Sequence, residues 1–443
     1  MKQLYEFCGE IKRIISSSDV LSVEVARNIV RSLNNYLYTN YPGIGETHAL
    51  NGDYEFFSDF HKFWKENHEK ILDCKISDAQ CEKVADALYA VYVATQGEVF
   101  EQIYDTCGLE KTEVCRVRFL TANQDFRGSL NFEKLAKIYQ NDNSIFDEEL
   151  INQDPAKFIR EIELADKSQN DKRNKFAKRI SQFLLDKGCE PYDLIDIYER
   201  DIYALRNELI SYEGAGYGNK KTDMFLRDMV VLKIWENVKG FDKLDVASDV
   251  NTIKVALRTG ILETAIPLVS SFLDIFCYQY EYVEKMNARA WRRVWEIWKA
   301  KYPIESVDSP CMIDYFVYDV IGRQFCGDIL CEFECDKEGH RFKWHSSRNR
   351  TCQICYKQGK KGIGAKLVRK IMPCIDDEGG IAFSQTAFAK SVKNKMDVKA
   401  CPFRQVCGSN RVLLPPKSIS ILGQTGWTTA YTRKDVGGGG LMS

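Results

Sequence analysis

Apolar residues recur every three to four positions along most of the chain. Residues 56–60 and 84–89 show this spacing, and the stretch 41–45, with its proline and two glycines, interrupts it as a loop. An apolar stripe of this period covers one face of a helix, so the pattern predicts amphipathic helices. We therefore expect a mainly α protein.

Three later segments add detail. The Asp-Pro pair at 154–155 predicts a helix start, because proline fits the first helical position. The helix predicted over 171–185 is strongly basic, which is more often a solvated face than a DNA contact. Trp291, Trp295 and Trp298 follow at helical spacing and favour a core stripe over a base-stacking platform.

A glycine-rich turn is the most distinctive stretch of the sequence. Gly214, Gly216 and Gly218 lie between two predicted helices. Such a turn leaves backbone N–H groups free to bind a phosphate, or a cation that bridges to one. Lys221 opens the next predicted helix and Asp249 opens a later one, so an amine and a carboxylate can face one cleft. This pair suits chemistry on a nucleotide.

Length and composition restrict the class of protein. With 443 residues, 44% apolar and 12% aromatic, the chain is long enough for two or three folded domains. No apolar run reaches the length of a membrane span, and residues 1–4 open no secretory signal. We expect a soluble, intracellular protein with no membrane partner.

The net charge of −1 hides an asymmetry. Residues 326–443 carry 20 Lys and Arg against 10 Asp and Glu, so the rest of the chain has a net charge of −11. A basic end on a nearly neutral protein suits a surface that binds a phosphate backbone. A solvated basic surface is the alternative.

Sixteen cysteines in a reducing compartment favour thiols and metal ligands over disulfides. Cys331 and Cys335 form one short-spaced pair, and Cys352 and Cys355 form a second. Four thiolates from two such pairs complete a tetrahedral zinc site, in which a nearby histidine can replace one cysteine. The sequence therefore predicts that these four cysteines bind zinc.

The glycine-rich segment resembles the helix-hairpin-helix (HhH-GPD) DNA glycosylase superfamily, which includes endonuclease III and the archaeal 8-oxoguanine glycosylases. Residues 213–216 are similar to the family hairpin, the Lys-Thr pair at 221–222 to its lysine pair, and 249–260 to its carboxylate helix. No proline precedes the glycines here. Residues 217–219 are additional, so Lys220 is an alternative to the second lysine.

The resemblance implies a two-lobed helical core that rotates a nucleotide out of duplex DNA and cleaves its N-glycosidic bond. Lys221 would attack C1′ to form a Schiff base, and β-elimination would then nick the strand. Asp249 would stabilise the charge on the sugar or activate the nucleophile, and would also cap its helix. Gln124 would fill the gap in the duplex, unless it is only a polar helix end, and Asn251 would line the base pocket.

The resemblance also implies a four-iron cluster near the C-terminal end. Its ligands would be Cys326, Cys374, Cys401 and Cys407. A second zinc site or reduced structural thiols are the alternatives. Either metal would act as a structural staple that presents Arg404 to phosphates, while the three hairpin glycines contact the DNA backbone.

The predicted domains are an N-terminal helical extension (1–115), the glycosylase core (116–325), a Cys-rich metal and DNA-binding module (326–422) and a flexible tail (423–443). The predicted function is a DNA glycosylase, with or without AP-lyase activity, acting in repair or on foreign, phage-derived DNA. An oxidised base is the family default, and no residue names the base. The alternative is a non-catalytic DNA-binding or scaffold protein. We expect a cytoplasmic, nucleoid-associated monomer.

Overall fold

The fold comes from a computed structural model of the chain. It describes residues 67–125, 131–165, 169–265, 277–326 and 401–407, isolated residues before 33, and short segments between 328 and 400, mostly as backbone. Three predicted zinc ligands, Cys335, Cys352 and Cys355, lie outside the described residues, as does the predicted tail.

The described part of the chain is mainly helical, as the apolar pattern predicts. The helices in chain order are α1 (Asp78–Thr95), α2 (Glu98–Glu101), α3 (Lys111–Thr121), α4 (Phe132–Asn141), α5 (Glu148–Gln153), α6 (Pro155–Glu161), α7 (Asn170–Lys187), α8 (Leu194–Ile197), α9 (Ile202–Ser211), α10 (Asn219–Val231), α11 (Val250–Thr259), α12 (Cys277–Lys301), α13 (Ile313–Tyr315) and α14 (Arg404–Cys407). A π-helix, Phe316–Phe325, follows α13, and a short 3₁₀ helix, Ala122–Gln124, follows α3.

The strands are short and antiparallel, and the apolar pattern did not predict them. They are β1 (Lys75–Ile76), β2 (Leu262–Glu263), β3 (Asp328–Glu334), β4 (Arg341–Lys343), β5 (Cys374–Ile375), β6 (Ile381–Ala382) and β7 (Ala389–Lys393). β1 pairs with β2, and β5 pairs with β6. β3 is the middle strand of a sheet with the order β4-β3-β7, in which Cys331 lies opposite Lys390.

The chain divides into two compact units. The central unit comprises Ala85–Ser248 and Trp291–Val317, and the terminal unit comprises Met1–Val84, Asp249–Ala290 and Tyr318–Ser443. Each unit is assembled from separate stretches of the chain, whereas the domains predicted from the sequence are continuous.

Helices of the central unit begin at residues whose side chains accept hydrogen bonds from the first turn. Asp154 accepts from the Lys157 amide at 2.9 Å, and Pro155 takes the first helical position, as predicted. Asp201 accepts from the Tyr203 amide at 2.9 Å at the start of α9. These side chains pair donors that helix geometry leaves without a partner, and so they fix where each helix starts.

Aromatic side chains dominate the core of the central unit. Phe119 and Phe225 are fully buried and meet edge to face with ring centroids 5.4 Å apart, and Trp235 packs on Phe225 at 5.6 Å. Trp291 and Trp298 are also fully buried, which confirms the predicted core stripe at two of its three positions, whereas Trp295 is half-buried. Burying one such side chain contributes about 2–3 kcal/mol. None of the described helices is both long and apolar enough to cross a membrane.

Candidate functional site

The predicted glycine hairpin connects α9 to α10 in the central unit. Gly214 and Gly216 have φ values of 80° and 77°. This left-handed conformation is energetically unfavourable for any residue that has a Cβ atom. A Cβ on Gly216 would also lie 2.5 Å from a ring carbon of Phe176. Gly218 differs, because it is the N-cap of α10 at φ −90° with open space around it. Conformation and contact therefore require glycine at 216 and not at 218.

The hairpin presents backbone donors next to the basic helix α7. The amides of Gly216, Gly218 and Asn219 donate to no other residue in the part of the chain that the structure describes. Lys175 of α7 is exposed, and its Cε lies 3.1 Å from the position that a Cβ of Gly214 would take. Free amides at a helix start and a nearby ammonium group suit a phosphate.

The two candidate lysines share the first turn of α10 but have different surroundings. The Lys221 ammonium donates to the backbone carbonyl of Asp125 and lies 3.9 Å from that residue's carboxylate. The Lys221 side chain is only 18% exposed. The Lys220 side chain is half-buried and makes no hydrogen bond to another described residue. The structure therefore gives Lys221, and not Lys220, a defined position.

Gln124 ends the 3₁₀ helix that follows α3. It is fully buried, and its Nε2 donates to the Arg173 carbonyl at 3.2 Å while Arg173 Nη1 donates to the Gln124 carbonyl at 2.7 Å. A side chain that fills a gap in a duplex has to reach the surface. The burial of Gln124 disagrees with that role and favours the alternative interpretation, a polar helix end.

Several acceptors around this 3₁₀ helix have no partner. Asn123 Nδ2 donates to the Ala215 carbonyl of the hairpin at 2.8 Å. However, one side-chain oxygen on each of several residues is buried without a hydrogen bond among the described atoms: Asn123, Gln124, Asp125, Asn174 and Thr222. Native structures leave few such atoms unsatisfied, so a group of them marks a candidate ligand site.

A buried network of charges fixes α10 within the central unit. Asp228 accepts from Arg118 Nε at 2.8 Å and from Arg227 Nη2 at 2.6 Å, and Arg227 also pairs with Asp314. The Tyr104 hydroxyl donates to Asp228 at 3.3 Å, and burial raises the pKa of Tyr104 well above its ordinary value. Removing one partner from such a network leaves a buried charge uncompensated.

Arg206 ties α9 to the first turn of α10. Its guanidinium binds both carboxylate oxygens of Asp223, the second at 3.0 Å, and donates to Asn219 Oδ1 at 3.1 Å. Burial raises the pKa of Asp223 to about 6, although Arg206 acts to lower it. This contact and the network at Asp228 hold the helix that carries Lys221 at both of its ends.

Asp249 is the N-cap of α11 in the terminal unit. Its Oδ1 accepts from the amides of Asn251 and Thr252, each at 2.8 Å, and Thr252 Oγ1 accepts from the Asp249 amide at 2.9 Å. This reciprocal pair is a capping box, so the capping role predicted for Asp249 is confirmed. Asn251 Nδ2 lies 3.4 Å from Asp249 Oδ2, which keeps its amide at the helix start.

Lys254 connects α11 to the cysteine-bearing end of the terminal unit. The side chain is buried, and its Nζ donates to Asn251 Oδ1 at 3.2 Å and to the Cys326 carbonyl at 3.0 Å. A buried ammonium needs such acceptors. Lys254 therefore links the first turn of α11 to the backbone at Cys326.

Three of the four predicted cluster ligands lie near one another in the terminal unit. Burial, together with smaller contributions from the neighbouring thiols of Cys326 and Cys401 and against an opposing one from Arg258, raises the pKa of Cys407 to about 12. Burial likewise raises the pKa of Cys401, and Cys326 adds to that effect. The three sulfurs and the Arg258 guanidinium are thus within electrostatic reach of one another.

No three His, Cys, Asp or Glu side chains form a metal-binding group in the described ranges. The fourth predicted cluster ligand, Cys374, is described only as the backbone of β5, and Cys331 of the predicted zinc set only as the backbone of β3. Both metal sites therefore remain predictions. Arg404, in the first position of α14, is exposed, as a phosphate contact requires.

Comparisons with known proteins gave no match. No protein-family model matches the chain, and no match was found among the curated proteins or the solved structures.

Proposed function

We propose that this protein is a DNA N-glycosylase of the helix-hairpin-helix type, which excises a damaged or modified base and nicks the strand as an AP lyase. The observation that carries the proposal is the position of Lys221. It is a half-buried amine on the first turn after a glycine hairpin, beside buried acceptors without partners. A hairpin that only binds DNA has no need of an amine held in such a polar site.

The hairpin supports DNA as the partner. Its free amides and the exposed Lys175 suit two kinds of phosphate contact, hydrogen bonds from a helix start and an ion pair. Neither contact reads sequence, so the hairpin would fix the register of the duplex. Gly218 and Lys220, at the start of α10, would lie along the same backbone.

The unpaired acceptors beside Lys221 support a pocket for an extruded base. The oxygens of Asn123, Gln124 and Thr222 are buried and lack donors. A base that enters the site supplies N–H groups, and enzymes read flipped bases through such hydrogen bonds. Gln124 would then contribute its amide oxygen to the pocket and not fill the gap in the duplex.

The chemistry follows from what an amine and a carboxylate do at C1′. The Lys221 lone pair forms the N–C1′ bond while the bond to the base breaks, and the base leaves with that electron pair. Asp249, held by two α11 amides, would stabilise the positive charge that develops on the sugar. The C1′–O4′ bond of the sugar ring then breaks, O4′ takes up the proton that the nitrogen loses, and the imine that forms permits β-elimination of the 3′ phosphate.

We infer that Cys326, Cys401 and Cys407, with Cys374 as fourth ligand, hold a four-iron cluster. The observation that supports it is the shared neighbourhood of three sulfurs and Arg258, because a cation suits an anionic thiolate site. The cluster would supply structure and not redox chemistry. For the zinc set, Cys331, Cys335, Cys352 and Cys355, the support is the spacing of the pairs.

Elemental analysis tests both metal assignments. The purified protein should contain four irons with equimolar inorganic sulfide, together with one zinc. Cys407→Ser should remove the iron and leave the zinc. Two zincs and no iron would show that the second cysteine set is a zinc site, and no metal at all would show that the cysteines are structural thiols.

Release of free bases tests the enzyme function directly. Oxidised, deaminated and phage-derived duplexes are incubated with the protein, and released bases are identified by mass spectrometry. Lys221→Gln and Asp249→Asn are the matched inactive variants, and Lys220→Gln distinguishes the two lysines, because at saturating DNA it should still release the base although it binds the duplex more weakly. Tight DNA binding with no base released from any substrate would favour the alternative, a non-catalytic scaffold.

A further inference from the structure

Asp125 stands next to the one amine on which the proposed chemistry depends. It follows the 3₁₀ helix Ala122–Gln124, and its carbonyl accepts a hydrogen bond from Lys221 Nζ. Its carboxylate Oδ2 lies 3.9 Å from the same nitrogen, and the two side chains are 19% and 18% exposed. All of these atoms belong to the central unit.

The carboxylate of Asp125 is not saturated by structural hydrogen bonds. Its Oδ1 is buried and has no partner among the described atoms. The carboxylate of Asp223, two residues after Lys221 on α10, differs, because Arg206 binds both of its oxygens. Buried carboxylates with only a structural role are usually hydrogen-bonded, so the unpaired Oδ1 of Asp125 indicates that this carboxylate has a role beyond stabilising the fold.

Two of the described cations near this pair bind other groups. Arg118 is within electrostatic reach of Asp125 but donates to Asp228. Arg173 of α7 donates to the Gln124 carbonyl. Lys220 precedes the amine on α10 and adds a like charge. Of the described acids, Asp125 is the one that forms an ion pair with Lys221.

We propose that Asp125 is the proton acceptor that activates Lys221, an inference that depends on the proposed AP-lyase function. In the free protein the two form a charged pair. Bound DNA excludes water from this pair, and loss of water disfavours two charges relative to a neutral pair. A proton then moves from Nζ to Oδ2 of Asp125 and leaves a free amine.

The step balances at an abasic sugar, whose C1′ is an aldehyde carbon. The Lys221 lone pair forms the N–C1′ bond, the C=O π electrons move to oxygen, and a proton passes from nitrogen to that oxygen. Protonated Asp125 gives its proton to the resulting hydroxyl, which leaves as water. The products are the iminium, one water and the Asp125 carboxylate, so Asp125 returns to the ionised form in which it began.

The test is borohydride trapping of the protein on a duplex with one abasic site, which needs no knowledge of the excised base. Asp125→Asn keeps the backbone carbonyl and removes the acid. Asp171→Asn is the matched control, because Asp171 is an exposed acid of the same unit, on α7. Asp125→Glu tests rescue, and Lys221→Gln reports any adduct formed through other amines.

We expect Asp125→Asn to lower the maximal trapping rate at least about tenfold, since general acid–base groups contribute about 10²–10⁴-fold. The pH of half-maximal trapping should also fall, because the charge that stabilises the ammonium form is gone. Asp171→Asn should match wild type, and Asp125→Glu should recover part of the rate. Unfolding midpoints of all variants separate these effects from a folding defect.

Two outcomes overturn the inference, and they are distinguishable. If wild type, Asp125→Asn and Asp171→Asn share one rate and one pH profile, Asp125 takes no part and the proposed function stands. If wild type binds the abasic duplex but yields no more adduct than Lys221→Gln, the lyase function itself fails, and the role of Asp125 fails with it.

Discussion

The two helices that carry the candidate catalytic residues begin in opposite ways. α10 has Gly218 as its N-cap and no side chain that accepts from its first turn, so Lys221 follows a helix start with free amides. α11 begins with a capping box in which Asp249 itself accepts two amides. One helix start is open to an anion, and the other already contains one.

The difference shows how each helix is held. α10 has no side-chain cap among the described residues, and buried ion pairs at Asp223 and Asp228 fix it within the central unit. α11 is fixed locally by Asp249 and by Lys254, which reaches the Cys326 carbonyl. An open helix start can accept a phosphate only if the rest of the helix is anchored by other means.

Removing the anchor of α10 should have the largest effect. Asp228→Ala leaves the buried Arg118 without its carboxylate and Arg227 with Asp314 as its remaining partner, so the free energy of unfolding should fall by about 3–5 kcal/mol. Urea unfolding followed by tryptophan fluorescence measures this. Asp171→Ala, at an exposed site on α7, is the control and should change stability by under about 0.5 kcal/mol. A loss below about 1 kcal/mol for Asp228→Ala would show that the network does not anchor the helix.

Asp249→Asn should separate capping from chemistry. Asparagine caps a helix as well as aspartate does, so stability should stay within about 0.5 kcal/mol of wild type. Base release should fall by about 10²–10³-fold, because the charge that stabilises the transition state is lost. Asp249→Ala should lose the same activity and in addition about 1 kcal/mol of stability. Base release at the wild-type rate by Asp249→Asn would show that Asp249 only caps its helix and takes no part in the chemistry.

Two glycine substitutions should distinguish the hairpin from the start of α10. Gly216→Ala forces a left-handed backbone and a clash with Phe176, and should cost about 1–3 kcal/mol and weaken duplex binding. Gly218→Ala meets open space at φ −90° and should change stability by under about 0.5 kcal/mol. Thermal unfolding and fluorescence anisotropy with duplex DNA measure the two effects. Equal losses of stability and of duplex binding in the two variants would show that the left-handed conformation of the hairpin is not their cause.

The smallest effect should come from a single phosphate contact. Lys175→Gln should reduce the slope of log K against log salt by about 1, with little change in base release. Lys137→Gln on α4 is the control, since Lys137 is exposed and is not near the hairpin in sequence. Titrations at several salt concentrations give the slope. Equal slopes for both variants and wild type would remove Lys175 from the DNA surface.

Features with a local cause were predictable from single stretches of the sequence. The helix start at Pro155, the buried tryptophans and the cap at Asp249 follow from residue type and spacing. The glycines at 214 and 216 also proved to have the left-handed backbone that such a turn requires. Each of these depends on neighbours within about one helical turn, so periodicity is sufficient to find it.

Features with a distant cause were missed. Asp125 and Lys221 are 96 positions apart, and Arg118 and Asp228 are 110 apart. Gln124, predicted to reach DNA, is instead buried on Arg173. The only signal in the sequence was the presence of charged residues within otherwise apolar helices. Such pairs form when helices pack, and periodicity carries no information on which helices meet.

The sequence alone thus determined the helical character of the chain, the glycine turn and the residues that begin its helices, because these depend on short-range sterics and hydrogen bonding. Only the tertiary structure decided which lysine is held in place and which acid stands beside its amine. Those choices depend on packing and on burial, which changes the energies of charged groups and is a property of the folded chain.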